Sequence, residues 1–298
     1  MLLEILKHHG PARLGKLEHE GCEIATPNFF SIIARDVALD HDIYIVSHDV
    51  KTSRKPLIYN YGSLKTKKDI GAFGILPDDG AALKVPKEIA EFSVESTLKF
   101  AEKYPGYGAV IQGSKYPALR MKCARALKEH PLLVIADAGE LLENPRLLVE
   151  IVTGIREVIP PNTALYFPFA SPHMFYLLAY MGVDLFDSGD CILKARRNEI
   201  ITTRGHLYLK DLKELPCTCS VCRDRSPEEL VEDFNAVLKH NFDLSVCVVR
   251  EIREAIRKGI LRELVEEKAA GGTLAMTMLR LLDQEKQDFL ERYTPVVP

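Results

Sequence analysis

With 298 residues, of which 27% are charged and 47% hydrophobic, the chain has an ordinary globular composition and enough length for one large α/β domain or two modest ones. A net charge of -3 excludes a polyelectrolyte that binds nucleic acid over its whole surface, so any such contact has to come from a local patch. No charge-free run approaches a membrane span, and Met-Leu-Leu-Glu-Ile-Leu-Lys at the N-terminus lacks the apolar core of a signal peptide; a cytoplasmic protein without a membrane partner is expected.

From Leu2 to about Asn28 the pattern alternates weakly and breaks at His9-Gly10-Pro11 and Glu20-Gly21, which predicts two or three short antiparallel strands. Ile43-Tyr44-Ile45-Val46 reads as a buried strand. Between Lys51 and Lys68 lie Lys51, Arg54, Lys55, Lys65, Lys67 and Lys68, with Tyr59 and Tyr61 among them and no acid. Such a stretch is a loop by its composition; charge runs are usually plain solvated faces, and contact with RNA phosphates is the alternative it offers. Pro77-Asp78-Asp79-Gly80 is a turn by its chemistry.

Helix and strand then alternate. Helices are predicted over 87–103, 117–129, 144–159 and 172–181, opened in turn by Pro86, Pro117, Asn144-Pro145 and Pro172. The strands between them fall at 107–112, 132–136, 163–167 and 183–186. Four such steps in a row imply parallel strands, hence a (β/α) barrel or a doubly wound sheet. Either architecture puts its site where the strands end, and the polar residues there are Gln112, Asp137 and Asp187. A polar residue at a strand end is also the simplest start for a loop. His173, just inside a helix, is expected at the surface.

A second basic run, Lys194, Arg196, Arg197 and Arg204, precedes the most specific pattern in the chain. Cys217, Cys219 and Cys222, followed downstream by His240, supply three thiolates and one imidazole at the spacing of a closed structural zinc site. Zn2+ is therefore the expected cofactor, with a structural role. Cys22, Cys123, Cys191 and Cys247 are scattered and read as buried small hydrophobes. Ser226-Pro227-Glu228-Glu229 is a capped helix start, Gly259 ends a helix, and a last amphipathic helix spans about 273–291.

Three blocks together resemble the archaeal tRNA-guanine transglycosylases: Val110-Ile-Gln112-Gly113 with Tyr116-Pro117 and Leu119-Arg120, Met181-Gly-Val-Asp-Leu-Phe-Asp187-Ser188, and Glu214-Leu-Pro-Cys217 through Lys239-His240-Asn241. The resemblance implies a (β/α)8 TIM-type barrel with a zinc subdomain, divided here as 1–210 for the N-terminal strands and barrel and 211–298 for the zinc subdomain and C-terminal helices. It also implies tRNA as partner, Asp187 as the nucleophile at an anomeric carbon, and base contacts from Gln112, Gly113 and Asp137. Lys65, Lys67, Lys68, Arg196 and Arg197 would face RNA.

The chain departs from that family as well. The family's Asp-Ser-Gly-x-Phe-Gln motif has no counterpart before Gln112, and the segment ahead of Gln112 is short for the barrel units it has to hold, which implies a barrel shortened on its N-terminal side. Asp137-Ala138-Gly139 stands where a Gly-Gly pair is expected. Gly10-Pro-Ala-Arg13-x-Gly15, Thr163-Ala-Leu-Tyr-x-Pro168 and Leu212-Lys-Glu-Leu-Pro-Cys217 look like the transglycosylase-like N-terminal half of archaeosine synthase. That resemblance implies lysine addition to the nitrile of a deazaguanine in the tRNA D-loop, and a separate chain carrying the missing catalytic and RNA-binding PUA half. Base exchange through Asp187 and an inert tRNA- or partner-binding scaffold are the alternatives. Oligomerisation is left open.

Overall fold

A computed structural model of the chain describes residues 1–298 except 35, 36, 38, 67, 68 and 294–298. It opens with β1 (Leu2–His9), β2 (Ala12–His19) and β3 (Cys22–Thr26), an antiparallel three-stranded sheet. Four strands follow with no helix between them among the described residues: β4 (Asn28–Ile33), β5 (Tyr44–Ser47), β6 (Leu57–Asn60) and β7 (Gly74–Ile75). The pattern then becomes regular: α1 (Lys87–Ala101), β8 (Ala109–Ile111), α2 (Pro117–Ala126), β9 (Leu132–Ile135), α3 (Ala138–Leu141), α4 (Pro145–Val158), β10 (Ala164–Tyr166), α5 (Pro172–Tyr180), β11 (Leu185–Asp187) and α6 (Gly189–Arg196). A hairpin of β12 (Glu199–Thr202) and β13 (Gly205–Tyr208) leads to α7 (Pro227–Val231), α8 (Phe234–Lys258), α9 (Leu261–Ala269), α10 (Thr273–Glu285) and α11 (Gln287–Glu291).

Strands β4 to β11 pair in parallel in the order β7-β6-β5-β4-β11-β10-β9-β8. The two edges meet where Ile75 bridges Gly108, through Gly108 N to Gly74 O at 2.9 Å and Leu76 N to Gly108 O at 2.8 Å. The fold is thus an α/β barrel of the TIM type rather than an open doubly wound sheet. The shortening falls on the connections and not on the strand count. Four barrel strands fit before residue 76 because, among the described residues, the segments 34–43, 48–56 and 61–73 hold no covering helix.

Period-two alternation sorts the strand residues between two layers. Val134 points inward with Ile45, Ile58 and Leu185, while its neighbours Leu133 and Ile135 pack outward against the helices. Leu3, Leu17 and Ile24 of the antiparallel sheet join the inner cluster, so that sheet plugs the end of the barrel where the strands begin. Buried Arg13 fastens the plug to Asp184, at the start of β11, with Nε 3.1 Å from Oδ1 and a second guanidinium nitrogen on Oδ2. Arg156 lies 3.8 Å from the same carboxylate, and the Leu165 amide donates to it at 2.8 Å. Helices α8 to α10 share the outer core with the barrel helices. Of the four scattered cysteines, Cys123 and Cys191 are buried as expected, but Cys22 and Cys247 are exposed, one at a hairpin end and one on the solvent side of α8.

Candidate active site and metal centre

The open end of the barrel holds a cavity of about 670 Å³ lined from the strand ends. Apolar walls come from Ile32, Ile45, Val46, Ile75, Val110 and Val134, and polar groups come from most of the strand ends, Ser47 and His48 at the end of β5 and Glu140 beyond β9 among them. Asn60 follows from β6, Asp78 from the turn after β7, Gln112 from β8, Asp137 from β9 and Asp187 from β11. Three sequence-predicted residues, Gln112, Asp137 and Asp187, are therefore brought to one cavity.

Asp78 is the residue that sequence reasoning missed, because Pro-Asp-Asp-Gly reads first as a turn. Its carboxylate accepts from Gln112 Nε2. Burial raises its pKa to about 6, against the hydrogen bond from Gln112. Gln112 is 1% exposed, and its Oε1 has no hydrogen-bond partner. A buried amide oxygen without a donor is costly, which marks this pair as incomplete without a ligand. Two strand ends here carry an Asx-x-Gly step, Asn60-Tyr61-Gly62 and Asp78-Asp79-Gly80, and backbone bonds join them: Asp78 N to Gly62 O at 3.1 Å and Leu64 N to Asp78 O at 2.9 Å. The spacing of Asp, x and Gly was the available signal.

Arg120 underpins this side of the mouth. It is fully buried and donates to the carbonyls of Ser114 (2.9 Å), Ile111 (3.1 Å) and Ala136 (2.7 Å), tying the ends of β8 and β9 together. A terminal nitrogen lies 3.3 Å from Asp137 Oδ2. Burial lowers the Arg120 pKa to about 10 and raises that of Asp137, the latter opposed by Arg120. Asp137 sits in the left-handed region at φ 54° and its side chain makes no helix cap. Gly113, at φ 140°, is fixed by the same arginine, since a Cβ there would lie 2.7 Å from the Arg120 amide nitrogen.

Asp187 is fully buried. Oδ2 accepts from Tyr166 Oη at 2.5 Å and from the Phe169 amide at 3.0 Å; Oδ1 accepts from the Gly189 amide at 2.6 Å. Burial raises its pKa, against those three hydrogen bonds. No cation pairs with it in an ion pair among the described residues.

The basic residues lie elsewhere. Lys65 is exposed in the turn after β6, while Lys67 and Lys68 fall outside the described residues. Arg196 and Arg197 are exposed at the far end of α6, a helix about 12 Å long that begins two residues after Asp187. The Arg196 guanidinium stands over the Phe234 ring at 5.7 Å. His173 is mostly buried rather than at the surface, with its pKa lowered to about 4 by burial, because α5 packs nearly all its residues into the core.

Cys217, Cys219, Cys222 and His240 converge with all four ligand atoms within 4.8 Å of one another. His240 Nδ1 stands 3.5 Å from Cys219 Sγ and 3.3 Å from Cys222 Sγ. Those spacings fit the edges of a tetrahedron around a metal with bonds of about 2.0–2.3 Å. His240 Nε2 is 2.9 Å from the Ile201 carbonyl, so it donates there and leaves the Nδ1 lone pair facing the thiols. The four residues could hold a metal ion, and the set leaves no position for substrate.

A TIM-type barrel with a carboxylate- and amide-lined mouth and a separate Cys3His lobe defines the class. Residues 54–272 match the queuine tRNA-ribosyltransferase (TGT) family, and the chain belongs to it. It is 34% identical to the tRNA-guanine(15) transglycosylase of Methanothermobacter thermautotrophicus across 68% of this chain and 33% of that protein. The protein of the same name from Methanobrevibacter smithii is 28% identical across 99% of this chain and 54% of its own length, and that of Thermococcus onnurineus 33% identical across 76% and 41%. The chain thus spans between a third and just over half the length of these relatives. Among the described residues no helix is long and apolar enough to cross a membrane.

Proposed function

We propose that this chain is the transglycosylase-like subunit of a cytoplasmic tRNA-modifying enzyme of archaeosine biosynthesis. Its barrel, residues 1–210, holds a deazaguanine base of the tRNA D-loop while lysine is added to the nitrile of that base. The catalytic groups for that addition and the PUA module come from a second chain. The observation that carries this reading is the contrast between two polar groups lining the mouth: Asp78 with Gln112, whose Oε1 lacks a donor, and Asp187, held by three hydrogen bonds. The carboxylate and the amide oxygen, both acceptors, match the ring N–H and exocyclic amine of a guanine-type base, which would donate to the carboxylate and to Gln112 Oε1. Three of the roughly four acceptor sites of the Asp187 carboxylate are already taken within the fold.

The metal in this reading is Zn2+, held by Cys217, Cys219, Cys222 and His240. When bound it is structural: it ties the loop of residues 212–225 to α8 within 211–298. Lys65, Lys67, Lys68, Arg196 and Arg197 would supply phosphate contacts. The reading is tested by affinity for tRNA carrying the nitrile-bearing deazaguanine, compared with the same tRNA made abasic at that position. The base-bearing tRNA should bind tighter, and Gln112→Ala should weaken it by about tenfold. Equal affinity for both tRNAs would sink the proposal.

Base exchange by this chain is the second reading. It is favoured by the transglycosylase names of the relatives and by the position of Asp187 at a barrel strand end.

A further inference from the structure

The turn after β10 carries an anomaly that the base-holding role does not by itself explain. Phe169 adopts φ 56°, a left-handed conformation that a bulky side chain rarely takes, and its ring is 50% exposed in an otherwise closed stretch of the barrel. It lines the mouth cavity. Strain of this kind persists only where neighbours hold it. The holder is visible: Asp187 Oδ2 accepts the Phe169 amide at 3.0 Å while Tyr166 Oη, from the end of the preceding strand, binds the same oxygen at 2.5 Å. From the other side the ring lies against Gly189, where an added Cβ would come within 2.6 Å of Phe169 Cδ1 and 2.7 Å of Asp187 Oδ1. Asp187 also fixes Gly189, by its amide at 2.6 Å. One buried carboxylate therefore sets both the backbone that aims the ring and the backbone on which the ring rests.

We propose that Asp187 is a positioning residue that holds Phe169 across the barrel mouth as a flat wall for a heteroaromatic ring. The inference rests on the base-holding reading above and deepens it by exchanging the role of Asp187 from attacking group to anchor. The exposed face of Phe169 offers the apolar, planar surface that a fused-ring base needs, since Asp78 and Gln112 can engage the polar edge of such a ring but not its face.

The test is binding of the free nitrile-bearing deazaguanine to the full chain by calorimetry, with unfolding measured on every variant. Phe169→Ala should weaken binding about tenfold with little change in the unfolding midpoint. Asp187→Ala should weaken it to a similar degree although it need not touch the ligand, and Phe169→Ala/Asp187→Ala should be no weaker than Phe169→Ala alone. Asp187→Asn, which keeps one acceptor oxygen, covers the case in which Asp187→Ala fails to fold; it should recover most of the affinity. Unchanged binding by Phe169→Ala, or losses that multiply in the double variant, would overturn the anchor role. No binding by the unaltered chain would overturn the base-holding reading itself, and the anchor role with it.

Discussion

Two buried aspartates stand three residues apart at opposite ends of β11, and they are treated in opposite ways. Asp184, at the plugged end, receives Arg13 in two places, has Arg156 nearby and takes the Leu165 amide. Asp187, at the open end, receives one phenol and two backbone amides and, among the described residues, no cation. The first arrangement neutralises charge and joins three segments distant in sequence; the second leaves a carboxylate whose pKa is raised by burial. The same strand thus carries an ion-paired fastening at one end and a carboxylate held by neutral donors at the other. The general lesson is that a buried carboxylate is read by its partners and not by its burial.

The largest expected effect lies outside both ends and serves to isolate them. Cys219→Ser, or chelation of the unaltered chain, should remove the bound metal and open the loop around 212–225 to hydrogen exchange. Metal-binding energy is folding energy there, about 10–16 kcal/mol in small zinc modules. The barrel amides should stay protected, and a metal-free chain with unchanged exchange in the loop would contradict the assignment. Next comes the plugged end. Asp184→Ala strands two buried guanidinium groups and should cost about 3–5 kcal/mol in urea unfolding. A cost below about 1 kcal/mol would mean that the fastening is not one.

The open end should respond in the opposite sense. Asp78 has a folded-state pKa of about 6, above its ordinary 3.8, so the folded chain keeps that proton longer than the unfolded one. Stability from this group is therefore present at low pH and falls as pH rises from 3.8 to about 6. Asp78→Asn should stabilise the protein by about 1–3 kcal/mol at pH 7, with no gain below pH 4, while weakening base binding. A destabilised Asp78→Asn at pH 7 would remove the distinction between the two ends. The smallest effect is at the surface: Lys65→Gln should lower the salt slope of tRNA binding by about one unit without changing stability.

The second half of the barrel was legible because each strand is followed by an amphipathic helix. The predicted spans over 87–187 lie within a few residues of the observed elements. The first half was not, since among the described residues 34–43, 48–56 and 61–73 hold no covering helix to set a strand-helix rhythm, and of its four strands only the one at 43–46 was expected from the sequence. The metal cluster was legible from ligand spacing alone, and the three strand-end polar residues from their place in the alternation. Asp78 was hidden by turn chemistry, and the partners of Asp187 by distance in sequence, since Tyr166 and Phe169 meet it only when β10 and β11 lie side by side. Arg13, noticed only as part of a local block, owes its role to a contact with residue 184 that no local pattern encodes.

The most direct test of the open end is incorporation of labelled nitrile-bearing deazaguanine into archaeal tRNA by this purified chain, repeated with Asp187→Ala. The account expects no incorporation by either protein, with tRNA carrying the base still bound. Incorporation that disappears in Asp187→Ala would contradict it and make Asp187 a nucleophile after all.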